Sequence, residues 1–488
     1  MDRGSFEPNP GQFPIRVERH LNSFVGDHLP GVTTVTAATR YYALHGYVAR
    51  TAQESGLDEA AAIQLLRRSE ALLAYVTRVH AEASDHPGWV PAPHGIDAIM
   101  RTAPKSGGLD LVTAAKDYSQ TRWAFANPYR GSELTLKILS TAGFLPGDWY
   151  DHAAASSTLS SLVEVARSTD IVTDEAVHQL SGVCLCTTPN SPDGTWLAQL
   201  LSGDADQPLD KPTMGGLLWQ FGRMVAVATE IGTVTNADSL ADLIMFDPAL
   251  RAHPQLESMV APLRWRGALL RRESVYVLRL IWRDINRRVE GARPVDQLIT
   301  AFADALPDGT VQQLRQQLPA RTDVDGHPLP AEREMGALPD LQRWLAIVML
   351  GADRLADLDG QQLRGFNSTT ERAGGAGDEL SPAWFVQQLD DFADRSLRDF
   401  GHHLATCMIR RSQRVALWKA RYDPRTRVMT FPARLHVRDG VAVSIYQETA
   451  PVPATRIPQY LSIARQAGMF SEDENGALRL GPNGTGLG

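Results

Sequence analysis

No glycine in the 488 residues is followed by lysine, which excludes a standard phosphate-binding P-loop, because that loop needs its lysine on the phosphates. HExxH, GxSxG and paired CxxC patterns are also missing, so the familiar zinc-protease, serine-hydrolase and zinc-ribbon signatures are absent. Cysteine is scarce, with three in the chain; this excludes a disulfide framework and fits a compartment where thiols stay reduced. Long apolar runs are lacking too. The longest, Trp344 to Ala352, has nine residues, less than half of the roughly 20 a membrane span needs. Met1 to Gly11 carries one arginine and no apolar run, so the expectation is a cytoplasmic chain with no membrane anchor.

What is present is ordinary globular usage, 43% hydrophobic and 21% charged. At this length two or three cores are expected. The periodicity predicts a mainly α, multi-domain helical protein with a small C-terminal β-hairpin and winged-helix-like units.

Pro30-Gly31 precedes a helix expected from about Thr34 to Ala52, and Asp58 is placed to cap a second running to about Ala81. Ser132 to Ala142 reads as a short helix stopped by Gly143, with Phe144 and Leu145 as an apolar plug, a pattern that suits a helix-turn-helix or winged-helix unit. Thr187 to Gly216 is rich in Pro, Gly and Asp and reads as a boundary. These signals divide the chain into residues 1–200, 214–362 and 380–488. Within the middle stretch Leu341 to Leu355 reads as a buried helix, and after it Ala373 to Gly377 reads as a mobile loop. After Ser381-Pro382 a long helical run extends to about Tyr422. Arg434–Arg438 and Val441–Ile445 then alternate around Asp439-Gly440, a hairpin signal. Thr455 to Ala467 is the last predicted helix, followed by two short strands.

The net charge is −8, yet it is unevenly placed. Arg264 to Arg293 holds nine arginines against three acids, and Arg410 to Arg427 holds seven basic residues against Asp423. On a helix, Arg272, Arg279, Arg283 and Arg287 fall within a stripe about 80° wide that includes Tyr276. Such a ridge suits phosphate contact, with guanidinium forks on the oxygens and the tyrosine as a stacking surface. The competing reading is that these arginines pair with acids of this chain or of a partner. Arg410, Arg411, Arg414, Lys419 and Arg421 form the second basic group. If the last helix entered a groove, Arg456, Gln459 and Arg465 would be its contacts.

Cys184-Leu185-Cys186 has a chelating spacing, and His403 with Cys407 lies at i, i+4, so the four could offer soft ligands to zinc. Against this, free cysteines are commonly buried as small apolar groups and the pairs fall in different predicted domains, so no metal or other cofactor is expected. Asp323-Val324-Asp325-Gly326 begins like a calcium loop but lacks the later acidic ligands and reads as a turn. Asp390, Asp391 and Asp394 read as a solvated helix face. Six of the thirteen histidines precede position 95, among them His20, His28 and His45; they read as core or interface residues.

Three stretches, LPGVTTVTAATRYYALHGYVA (Leu29 to Ala49), NPYRGSELTLKILSTAGF (Asn127 to Phe144) and RSQRVALWK (Arg411 to Lys419), resemble uncharacterised helical proteins of bacterial anti-phage defence islands, encoded beside ATPase or nuclease partners. The resemblance implies a defence context and a multi-subunit assembly; it carries over no catalytic residues. The first expectation is therefore a non-enzymatic complex subunit that contacts DNA or RNA through the Arg272–Arg287 ridge, with protein partners and no membrane. A scaffold without nucleic-acid affinity, and a hydrolase with an unrecognised site, are the alternatives.

Overall fold

The structure is a computed structural model that describes residues 6–9, 11–84, 86–102, 108–367 and 379–488. It is mainly helical, at 58%, with small sheets of short strands. Among the described residues no helix is long and apolar enough to cross a membrane.

The first expected helix pair is present. Glu59–Ala83 starts where Asp58 accepts a hydrogen bond from the Ala61 amide, as an N-cap should, and Gly56 takes φ +61 in the turn before it. Its partner begins at Arg40 rather than Thr34 and ends at Glu54. Thr33 and Thr36 instead bond to one another and to the Thr33 carbonyl, the local competition that keeps hydroxyl residues out of helices. The short helix near residue 130 is Ala126–Thr135, not Ser132 to Ala142. It stops because Lys137 takes φ +54, and Leu139 bridges Pro146.

The chain gathers into two compact units that do not follow sequence order. One comprises Met1–Phe24, Ile244–Arg251 and Pro262–Thr455; the other comprises Val25–Leu243, Ala252–Ala261 and Arg456–Gly488. They cut across the three consecutive stretches expected above. Thr187 to Gly216 lies inside the second unit, where Pro192–Ser202 folds as a helix.

In the first unit the arginine-rich helix, Ala261–Arg287, runs through the core, burying Val275, Leu278, Ile281, Trp282 and Ile285. Asp340–Asp357 is the expected buried helix, enclosed from Trp344 to Arg354. The run after Ser381 is broken into Pro382–Asp391 and Leu397–Lys419, because Ser396 caps a new start on the Asp399 amide. Leu435–Arg438 and Val441–Ser444 pair antiparallel. Asp439 (φ +52) and Gly440 (φ +74) supply the two positive φ values of the tight turn. Ala292–Pro294 extends this sheet, while Phe6–Asn9 runs parallel to Val428–Pro432 in another. Ala373 to Gly377 lies outside the described residues.

Two glycines set a close helix approach in this unit. A Cβ on Gly267 would sit 1.9 Å from the Gln362 carbonyl oxygen, and one on Gly365 would sit 1.8 Å from that of Arg264. Backbone cannot yield as a side-chain tip can, so Gly267→Ala is expected to cost about 1–3 kcal/mol or more through overpacking. Denaturant titration of the full chain should show an earlier first transition.

In the second unit the final helix, Ile457–Gln466, is followed by the antiparallel ribbon Phe470–Glu472 and Leu478–Leu480. Ile457, Tyr460, Leu461, Ile463 and Ala464 are buried, so the helix serves the core of its unit. Helix followed by ribbon is as expected; a winged-helix unit is not established by it.

Candidate functional site

Most of the arginine stripe is turned inward. Arg279 is 14% exposed and pairs at 3.2 Å with Glu18, which is 2% exposed. Burial raises the Glu18 pKa, and the Arg279 charge opposes that shift. Arg272 is 16% exposed and meets Glu273 at 3.4 Å. Tyr276 is half-buried against the core, the Arg283 Nε is buried, and only Arg287 is exposed. An arginine row reads the same in sequence whether it faces water or buried acid. Glu18 decides it here.

The other predicted contacts are also occupied within the chain. Arg411 is buried and donates to the Ile15 carbonyl at 2.5 Å. Arg414 pairs with Glu379, and Lys419 donates to the Phe13 carbonyl at 3.2 Å. Arg456 donates to the Val32 carbonyl at 2.9 Å, and Arg465 pairs with Glu472 while lying 5.5 Å above the Trp89 ring. The final helix therefore presents neither arginine freely.

A different basic surface is open. At the end of the Leu397–Lys419 helix, Leu417 and Trp418 are 63% and 62% exposed. The strand Arg421–Asp423 follows at once, with Tyr422 56% exposed and directly across the ladder from exposed Met429. Arg410, Arg421, Arg425 and Arg427, on the same helix and on the segment that follows it, are exposed, and among the described residues none of the four makes an ion pair. Arg16 lies 5.9 Å from the Trp418 ring centroid. The sequence marked this stretch as basic but not its aromatic exposure, which depends on where the helix ends.

In the second unit the polar residues are deeply buried. Arg40 and Asp193, both fully buried, pair at 2.8 Å, and Arg40 also donates to the Cys184 carbonyl, Thr187 and Ser191. His45 lies between Glu70 at 2.9 Å and Glu133 at 2.5 Å, all three inaccessible. Neither arrangement was legible beforehand, since each joins residues far apart in the chain.

The two cysteine pairs do not come together in one cluster. His403 and Cys407 lie 3.7 Å apart, but they belong to the first unit and the other two cysteines to the second. Cys184 and Cys186 meet His80 and His86 instead. His86 Nε2 is 3.1 Å from Cys184 Sγ, His80 Nδ1 is 3.4 Å from Cys186 Sγ, and the sulfurs are 3.2 Å apart. The Cys186 hydrogen bond, helped by His86 and opposed by burial, draws the Cys184 thiol down to about 4; the same bond, then burial, raises Cys186. Asp323 forms the expected turn, accepting from the Asp325 and His327 amides.

Comparisons with family models, curated proteins and solved structures find no match to this chain.

Proposed function

We propose that this protein binds single-stranded nucleic acid through the surface formed by the end of the Leu397–Lys419 helix and the Arg421–Pro432 ribbon. The observation that supports this reading is the joint exposure of Trp418 and Tyr422 in the stretch that also exposes four arginines with no ion pair among the described residues. Aromatic faces stack on any base, and guanidinium groups follow the phosphates, which together give tight but sequence-tolerant binding. Electrostatics favour the same ligand: the chain is acidic overall, so a local basic patch steers polyanions to one place. The resemblance of Leu29–Ala49, Asn127–Phe144 and Arg411–Lys419 to defence-island proteins suggests that it acts as a non-enzymatic subunit of an anti-phage assembly.

Fluorescence anisotropy with a labelled oligonucleotide tests the reading. Affinity should fall with salt at a log–log slope of about −0.7 per phosphate neutralised. Arg421→Glu, Arg425→Glu and Arg427→Glu together should weaken binding by about a hundredfold and flatten that slope. Trp418→Ala should cost about 1–3 kcal/mol with little change of slope, because stacking releases no counterions. Salt-insensitive binding, or binding equal in all variants, would sink the proposal. A partner protein captured by Leu417 and Met429 with no oligonucleotide bound would replace it.

A further inference from the structure

We propose that His80, His86, Cys184 and Cys186 form a Cys2His2 zinc site that staples the end of the Glu59–Ala83 helix to the turn carrying the two cysteines. The four residues come from two places about a hundred positions apart. Their ligand atoms nevertheless all lie within 4.8 Å of one another. A zinc tetrahedron with ordinary Zn–S and Zn–N bonds has edges of roughly 3.3–3.8 Å. For the ion to fit, the contacts of 3.1, 3.2 and 3.4 Å lengthen by up to about half an ångström and the remaining edges, none above 4.8 Å, draw in toward the same range.

Donor chemistry selects the metal. Two thiolates and two imidazoles favour zinc and disfavour the hard ions magnesium and calcium, which want oxygen. Four protein ligands close the coordination sphere, so the ion would be structural, with no position left for water or substrate.

The surroundings support a built site rather than a chance meeting. Cys184 is fully buried, and its carbonyl accepts from the buried Arg40. The next amide, that of Leu185, donates to Thr77 on the same helix that carries His80. The peptide unit that follows the first sulfur is thus held at both its carbonyl and its amide. His80, His86 and Cys186 are only half-buried, which leaves an entry path for the ion.

The test is the metal content of the full chain, purified without added metal. One zinc per chain is expected, with the Cys184→Ser/Cys186→Ser double variant losing it. Because that variant removes buried groups, His86→Ala, in a loop, is the second variant and should also release the metal to a chelator far faster. Cobalt(II) loaded in place of zinc should give the intense visible bands of a tetrahedral thiolate complex. Chelation should lower the melting temperature of the wild type but not of the double variant. The inference falls if the chain holds no zinc and gives no such cobalt spectrum, if both variants keep the metal, or if the native cysteines are joined in a disulfide. None of these residues belongs to the proposed nucleic-acid surface, so either proposal can fail alone.

Discussion

Replacing Arg40 with Met is expected to destabilise the unit that contains it by about 3–5 kcal/mol, the cost of leaving a buried carboxylate without its partner. Asp193 is fully buried and takes two hydrogen bonds from Arg40, at 2.8 and 3.1 Å. The other donors of the guanidinium go to the Cys184 carbonyl at 2.5 Å, Thr187 Oγ1 at 2.8 Å and Ser191 Oγ at 2.6 Å. All five N–H groups that arginine owns are therefore used. Methionine fills similar volume but strands five acceptor atoms. Arg40→Lys keeps the charge and should recover only part of the loss, because an ammonium cannot reproduce a planar fork. Thermal unfolding should show the Met variant melting lower by about 10 °C, with the Lys variant between. Wild-type melting in both would show that Asp193 is satisfied some other way.

The second large effect concerns His45. Replacing it with Gln leaves Glu70 and Glu133 buried together with no cation, and a loss of about 3–5 kcal/mol is expected. Burial by itself would lower the His45 pKa, but the Glu133 charge and hydrogen bond, then those of Glu70, push it up to about 10. The sign of the pH dependence follows. A group whose folded-state pKa lies above the unfolded value near 6.5 contributes stability that is complete below that value. The contribution is lost as pH rises toward 10. The gap between wild type and His45→Gln should accordingly be full at and below pH 6.5 and narrow steadily toward pH 10. Adding Glu133→Gln to His45→Gln should restore part of the loss, because one buried carboxylate without a cation costs less than two. A pH-independent gap would show that His45 is neutral and acts by packing alone.

Features read correctly in advance depend on near neighbours. Asp58 caps its helix three residues on, Asp439-Gly440 turns its hairpin, and the helix around Leu345 is apolar on every side. Each is set by interactions within a few residues, so periodicity and turn chemistry suffice. Misplaced boundaries have a local cause as well. Thr33 and Thr36 delay one helix, and Ser396 restarts another, since hydroxyl side chains compete for backbone groups.

The sites follow another logic. The Arg272–Arg287 stripe is real as a pattern, but its orientation depends on Glu18, which arrives from the start of the chain and takes Arg279 into the interior. The zinc ligands were half visible: Cys184 and Cys186 have chelating spacing, whereas His80 and His86, six positions apart, carry no comparable signal. By itself, then, the sequence determined a mainly helical chain, the place of its hairpin and its two basic stretches, because helix, turn and charge content are properties of short segments. Only the tertiary structure decided which arginines meet solvent, which aromatics stand beside them and which histidines reach the cysteines. The buried arginines and the histidine–cysteine cluster are set by contacts between segments about a hundred or more residues apart, and the aromatic exposure by where the Leu397–Lys419 helix ends, neither of which a local pattern encodes.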